Sequence, residues 1–212
     1  MQIPYKALKA ISLFAPKNDI RYYLNGVLIE STGDEVRLVA TDGHCLALYR
    51  LDEKAPVAKV ILPYEDVKAA LSVPRTSIEK EIPFEVELAD LNLAVGMPKV
   101  TITHGNGTVQ AFRAVDGKFP NYLRVMPRTA NGEPAQFNPE LLNRFAQADR
   151  ILGGLKKSDW PHVYFHYNGS DGALVECQHD ESFLGLVMPQ RPERPRSPAD
   201  LTLGLPESCN DE

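Results

Sequence analysis

An α+β fold is predicted for this chain, built from a unit of one short helix and three strands that occurs three times. Apolar residues at helical spacing are confined to three short segments. Each segment is followed by strand-like runs bounded by Gly, Asn and Asp turn clusters. The helix-then-strands order returns about every 55–60 residues, although residue identities hardly repeat.

Tyr5, Leu8, Ile11 and Phe14 fall on one helical face, and Pro16 with Lys17-Asn18 stops that helix. Tyr22 to Glu30 is a mostly apolar run, so a strand is expected there, followed by the Ser31-Thr32-Gly33-Asp34 turn. Glu35 to Ala40 alternates, and Asp42-Gly43 turns the chain into a third strand from Cys45 to Leu51. Beyond Pro56 come a brief strand, Val60 to Leu62, and a short helix, Glu65 to Leu71, ended by Pro74. Phe84 to Val95, Lys99 to His104 and Thr108 to Val115 read as strands, with Gly105-Asn106-Gly107 as a hairpin turn. After a loose stretch from Arg128 to Pro134, Asn138-Pro139 starts a helix whose face is Leu141, Leu142, Phe145, Ala148 and Leu152. Three last strands follow, His162 to Tyr167, Ala173 to Gln178 and Phe183 to Met188, turned at Asn168-Gly169 and Asp171-Gly172.

The 212 residues suffice for a sizeable core, and 43% hydrophobic with 24% charged content is globular rather than disordered. A formal charge of −5 argues against an electrostatic coat for nucleic acid, while leaving room for a basic stripe on one face. Three scattered cysteines without a CxxC pair suggest neither a disulfide framework nor a zinc site, and a reducing cytosol is expected. No apolar run has the length of a membrane span, so a soluble, cytoplasmic protein is expected, with no membrane partner. From Arg191 onward, proline, charge and small residues mix, which reads as a mobile tail. A lone unit of this size buries too little to be secure. Two can close a shared core, and the third needs the first pair or another chain.

Four strings carry more than pattern: Arg21-Tyr22-Tyr23-Leu24-Asn25-Gly26, Ala40-Thr41-Asp42-Gly43-His44, Asp116-Gly117-Lys118-Phe119-Pro120-Asn121-Tyr122 and Leu186-Val187-Met188-Pro189. Together they resemble the bacterial DNA polymerase III beta subunit, the sliding clamp, over about residues 1–191. The resemblance implies the DNA-clamp fold. It divides the chain into one clamp domain at 1–127, with halves at about 1–52 and 58–127, a half domain at 134–191, and a flexible Pro-rich tail at 192–212. These would match the family's middle domain and the second half of its third. The first domain and the opening half of the third find no counterpart, so the family's dimeric ring is not expected in its usual form.

The resemblance also implies a groove for short linear motifs of polymerases and repair proteins. Its first wall would take Leu24, Thr41, Gly43, His44 and Leu46, its middle Pro120, Arg124 and Val125, and its far wall Leu186, Val187, Met188, Pro189 and Arg191. Apolar walls suit a Leu or Phe plug, and methionine adapts to several shapes. Read alone, Val187-Met188 is equally a core strand end and Asp42-Gly43 a turn. Cys45 stands where the family usually has a basic residue, and Pro192 where it ends in leucine. A second implication is loose, sequence-independent contact with double-stranded DNA through helices facing a central hole. The matching positions are Lys6, Lys9, Lys17 and Arg21 near the first helix, Tyr22 and Tyr23, and Lys68 and Arg75 at the second. Arg144, Arg150, Lys156 and Lys157 belong to the third. Solvated helix faces are the other reading of these cations, and Glu65 and Asp66 favour it for the second helix.

His162 and His166 are four apart, but on a strand they lie about 13 Å apart, too far for one metal. No metal, cofactor or catalytic residue is proposed, because no nucleophile elbow, phosphate loop or carboxylate pair occurs. The expected function is a non-enzymatic processivity factor that tethers polymerase or repair proteins to encircled DNA, with a clamp loader among its partners. The alternative is a regulatory or decoy module that binds clamp-interacting motifs, or the clamp, without encircling DNA. A homo-oligomer is expected: four chains if three halves each fill a twelve-half ring, or a dimer if two third units pair. In the tail, Asp200-Leu201-Thr202-Leu203-Gly204-Leu205 resembles a clamp-binding motif and could return to the groove; a solubilising tail with incidental leucines is the other reading.

Overall fold

The structure, a computed structural model, describes residues 1–91 and 96–190. Strand β1 (Gln2–Ile3) leads into helix α1 (Tyr5–Ser12), and a 3-10 turn at Tyr22–Leu24 precedes β2 (Gly26–Ser31), β3 (Val36–Thr41) and β4 (Cys45–Leu51). The second unit is β5 (Ala58–Pro63), α2 (Tyr64–Ser72), β6 (Phe84–Ala89), β7 (Lys99–Thr103) and β8 (Val109–Arg113). After a 3-10 turn at Tyr122–Arg124 come α3 (Pro139–Leu152), β9 (Val163–His166), β10 (Ala173–Cys177) and β11 (Phe183–Val187). The architecture is α+β with antiparallel sheets, as expected. Among the described helices only α3 has a side-chain cap, where Asn138 accepts from the Glu140 N–H at 2.9 Å and Pro139 occupies the first turn.

Units one and two exchange their leading strands. β1 pairs with β6 (Ile3 opposite Phe84), and β5 pairs with β2 (Val27 opposite Leu62). Each unit therefore covers an edge that its partner would leave open. The third unit joins through β11, which pairs with β4 (Gly185 opposite Ala47) and extends one sheet to seven strands in the order β5-β2-β3-β4-β11-β10-β9. The other sheet is β1-β6-β7-β8. Helix α1 packs against both α2 and α3.

Below the helices lies the main core. Phe14, Phe145 and Phe183 meet there with centroids 4.8, 6.0 and 6.4 Å apart. A Cβ on Gly185 would sit 2.3 Å from the Phe145 ring, so glycine is what lets α3 seat on β11. On the opposite face of the seven-stranded sheet a second cluster forms from Leu24, Leu28, Val39, Leu46, Leu48 and Leu186, roofed by Phe119 and Tyr122. With both faces covered, β2 to β4 are nearly continuous apolar runs rather than alternating ones.

Three expectations change. Tyr22 to Leu24 is not strand: Leu24 N–H donates to Arg21 O at 2.8 Å and closes a 3-10 turn. The run from Phe84 stops at Ala89, before Asp90 takes a φ of 62°, and residues 92–95 of that expected strand lie outside the described residues. β1 was not foreseen, because two residues carry no period. No described helix is long and apolar enough to cross a membrane. The expected tail, 192–212, and Arg191 lie outside the described residues.

Candidate functional site

Where β4 meets β11, on the outer face of the large sheet, a cavity of about 220 Å³ opens. Its floor is Leu24, Leu46 and Leu186; Thr41, Gly43 and His44 form one rim, and Pro120, Val125 and Met188 the other. Nine of the expected groove residues thus meet, drawn from both ends of the chain. Arg124 and Pro189 do not line the cavity, and Arg191 is not described. Val187 points the other way: adjacent strand residues face opposite sides, so Leu186 reaches the groove while Val187 is fully buried under the helices.

The rim is built by hydrogen bonds within one turn. Asp42 accepts from the His44 and Cys45 N–H groups at 2.8 and 2.9 Å, and Gly43 takes a φ of 89° that suits glycine. The seam between units is closed by Met188 N–H donating to His44 O at 2.8 Å and by Arg144 of α3 donating to Asp42 Oδ2 at 2.6 Å. Burial pushes the Asp42 carboxyl up, but the two N–H groups and Arg144 outweigh it and hold its pKa below the usual range. Cys45 beneath them is pushed up to about 12 by burial and the nearby Asp42 charge, so its thiol stays neutral.

The opposite wall hangs on Tyr122. Its hydroxyl donates to Glu30 and accepts from Arg37 at 3.3 Å. Burial and the Glu30 carboxylate push its pKa up to about 12, so it keeps the proton it donates. Val125, whose N–H donates to Tyr122 O at 3.2 Å, is exposed at the mouth. Cys45 lines the cavity too, at the groove position expected for it, while Tyr122, Asn121 and Arg21 also line it and were not among the expected groove residues. Tyr122 lay inside a quoted string, but a buried hydroxyl network has no periodic signature.

The expected DNA-contacting residues separate into two groups. Lys9, Lys17, Lys68, Lys156 and Lys157 are exposed, and Tyr22 is 58% exposed. Arg144 is committed to Asp42, and Lys6 to Glu81 at 2.9 Å. Arg75 lies over the Phe84 ring at 4.2 Å and beside His104. Arg150 bonds the carbonyls of Lys156 and Asp159, and Arg21 pairs with Asp19 while donating to Asp42 O at 2.9 Å, on the groove side. Tyr23 packs edge-on against Tyr22 at 5.7 Å. Glu65 and Glu140 share the exposed helix positions with Lys9 and Lys68, so that surface is mixed rather than basic. Of the histidines, His166 pairs with Glu176 at 3.0 Å, and the buried Asp149 accepts from the backbone N–H groups of His162 and His179.

Residues 4–121 match the family model for the DNA polymerase III beta subunit, central domain. The beta sliding clamp of Pseudomonas aeruginosa is 38% identical over 115 residues, covering 53% of this chain and 28% of that protein. That of Haemophilus influenzae is 34% identical over 146 residues, covering 68% of this chain and 37% of that protein. The matched part thus spans only 28% and 37% of those relatives. A crystal structure of the DNA polymerase III subunit beta from Pseudomonas aeruginosa superposes with a TM-score of 0.61 at 23% identity, covering 90% of this chain and 66% of that one. A second, of the sliding clamp from the same organism with ligand, gives 0.59 at 22%. At such identity the likeness is one of fold.

Proposed function

Since this chain belongs to the DNA polymerase III beta subunit family, we propose that it is a non-catalytic processivity factor of DNA replication. It would hold polymerase or repair proteins on double-stranded DNA by binding their short linear motifs. The groove carries this reading. Leucines from a 3-10 turn and two sheet strands form an apolar floor, and the rims offer backbone and imidazole groups to an extended peptide. Met188 at the mouth gives the wall some adaptability. Action in the cytoplasm, on encircled DNA, from an oligomer of several copies and with the help of a loader belongs to the same proposal.

The second reading, a module that engages clamp-binding motifs without encircling DNA, is favoured by the cations. Arg75, Arg144, Arg150 and Lys6 are spent on internal partners, and the helix surface carries acids beside its lysines. Retention on nicked circular DNA separates the two. The processivity reading expects protein held on circles and released on linearisation, together with binding of a polymerase-derived peptide. Peptide binding without retention on circles establishes the second reading, and loss of both defeats the pair.

A further inference from the structure

We infer that the chain pairs with a second copy of itself through its third unit, with α3 against α3 and the segment before α3 of each copy laid on the free edge of β9 of the other. This deepens the oligomer reading above by naming its interface. The chain supplies the template. In units one and two, the strand directly before each helix crosses to the partner unit: β1 covers β6, and β5 covers β2. Under that cover the inward-facing residues are sealed, Phe84 and Val86 on β6 and Val27 and Ile29 on β2 being at most 1% exposed.

Unit three has the same parts without the cover. Among the described residues β9 pairs only with β10, and its other edge is open. Its inward-facing Val163 and Phe165 remain partly exposed, as do Leu141 and Leu142 on α3. Phe137, Phe165 and Tyr167 cluster with centroids 6.0–6.1 Å apart, and each remains partly or largely exposed. The strand-like segment before α3 makes one bridge, Gln136 to Gln190, and backbone bonds joining Gly132 to Tyr167 and Glu133 to Gly169 past the end of β9, where β5 makes a full ladder. What fits such a face is another half with its face free. Units one and two have spent theirs on each other, so a second third unit is the complement, and reciprocal use of one patch is the two-fold arrangement usual in dimers.

Residues 1–212 should sediment at twice the 23.5 kDa chain mass at micromolar concentration without DNA. A species that stays at 23.5 kDa overturns the inference. Leu141→Glu, checked for folding by circular dichroism, should weaken the dimer by at least about 100-fold, because the new charge would be buried unpaired. Leu123→Glu, at an exposed position of the 3-10 turn Tyr122–Arg124, should leave it intact. A folded Leu141→Glu protein that still dimerises normally places the interface elsewhere and defeats the proposal. Should Leu141→Glu not fold, hydrogen exchange on the unaltered chain decides. Amides of 135–137 and 163–166 must become protected as concentration rises, and protection independent of concentration counts against the pairing. Peptide affinity in the same samples keeps the two claims apart: a peptide-binding monomer overturns only the dimer, and a dimer blind to peptide overturns only the groove.

Discussion

Met188 and Leu24 sit at opposite depths of one pocket, and that depth decides what their loss would do. Met188 is 41% exposed, so Met188→Ala should leave folding alone and weaken a bound peptide by about 1–3 kcal/mol. Titration calorimetry checks this, and unchanged affinity in a folded variant would sink the groove assignment. Leu24 is 2% exposed and roofed by Phe119 and Tyr122, so Leu24→Ala should also cost about 2–5 kcal/mol of stability. The cysteines make a second residue-scale prediction. Burial raises the pKa of both Cys45 and Cys177, so neither should react with iodoacetamide at neutral pH until the protein unfolds. Rapid modification of either in the native protein, seen by peptide mapping, would contradict their placement.

The joint between β4 and β11 is the element on which the groove depends. Phe145 fills the space that Gly185 leaves, so Phe145→Ala should destabilise by about 3–5 kcal/mol and loosen α3 from its sheet. Denaturant unfolding measures this; a loss within the range of a surface substitution would mean that α3 is held by something else. The Arg144–Asp42 bridge makes the joint sensitive to acid. Asp42 has a depressed folded pKa, so its contribution is present above the unfolded value near 3.8 and fades as pH falls through the folded one. The gap in melting temperature between the native chain and Asp42→Asn should therefore narrow from neutral pH to below that value. A gap constant across this range would show that the carboxylate's charge does not hold the seam.

For the whole molecule, an acidic chain with a mixed helix surface implies weak, salt-sensitive DNA contact at most. Replacing Lys9 and Lys157 together with glutamate should reduce retention on nicked circles while leaving peptide affinity unchanged. Retention indifferent to both substitutions and to salt would remove these lysines from any DNA surface. The same scale holds the open end of the seven-stranded sheet. One end, β5, is laid down by the partner unit, whereas β9 waits for a partner that the described chain does not provide.

What the sequence by itself determined is local. The three helices follow from apolar spacing, and α3 from its Asn138-Pro139 start; the hairpin at Gly105 to Gly107 follows from turn chemistry. Seven of the nine expected residues that line the cavity lie inside the four quoted strings, which read the same whatever the fold does with them, and Leu46 and Val125 lie just beyond two of them. Only the tertiary structure decided which side of β11 faces the groove, and so removed Val187. It also decided where the arginines are spent, since Arg144 becomes structural once Asp42 arrives from far along the chain, and Arg75 once it lies over the Phe84 ring. The pairing of β11 with β4 was not legible either. Residues 45–51 and 183–188 each read as a strand, but a strand's period records which faces are apolar and not which neighbour takes its edge. Edge partners are chosen by backbone hydrogen bonds, which every residue but proline offers alike, so that choice is made only when the whole chain folds.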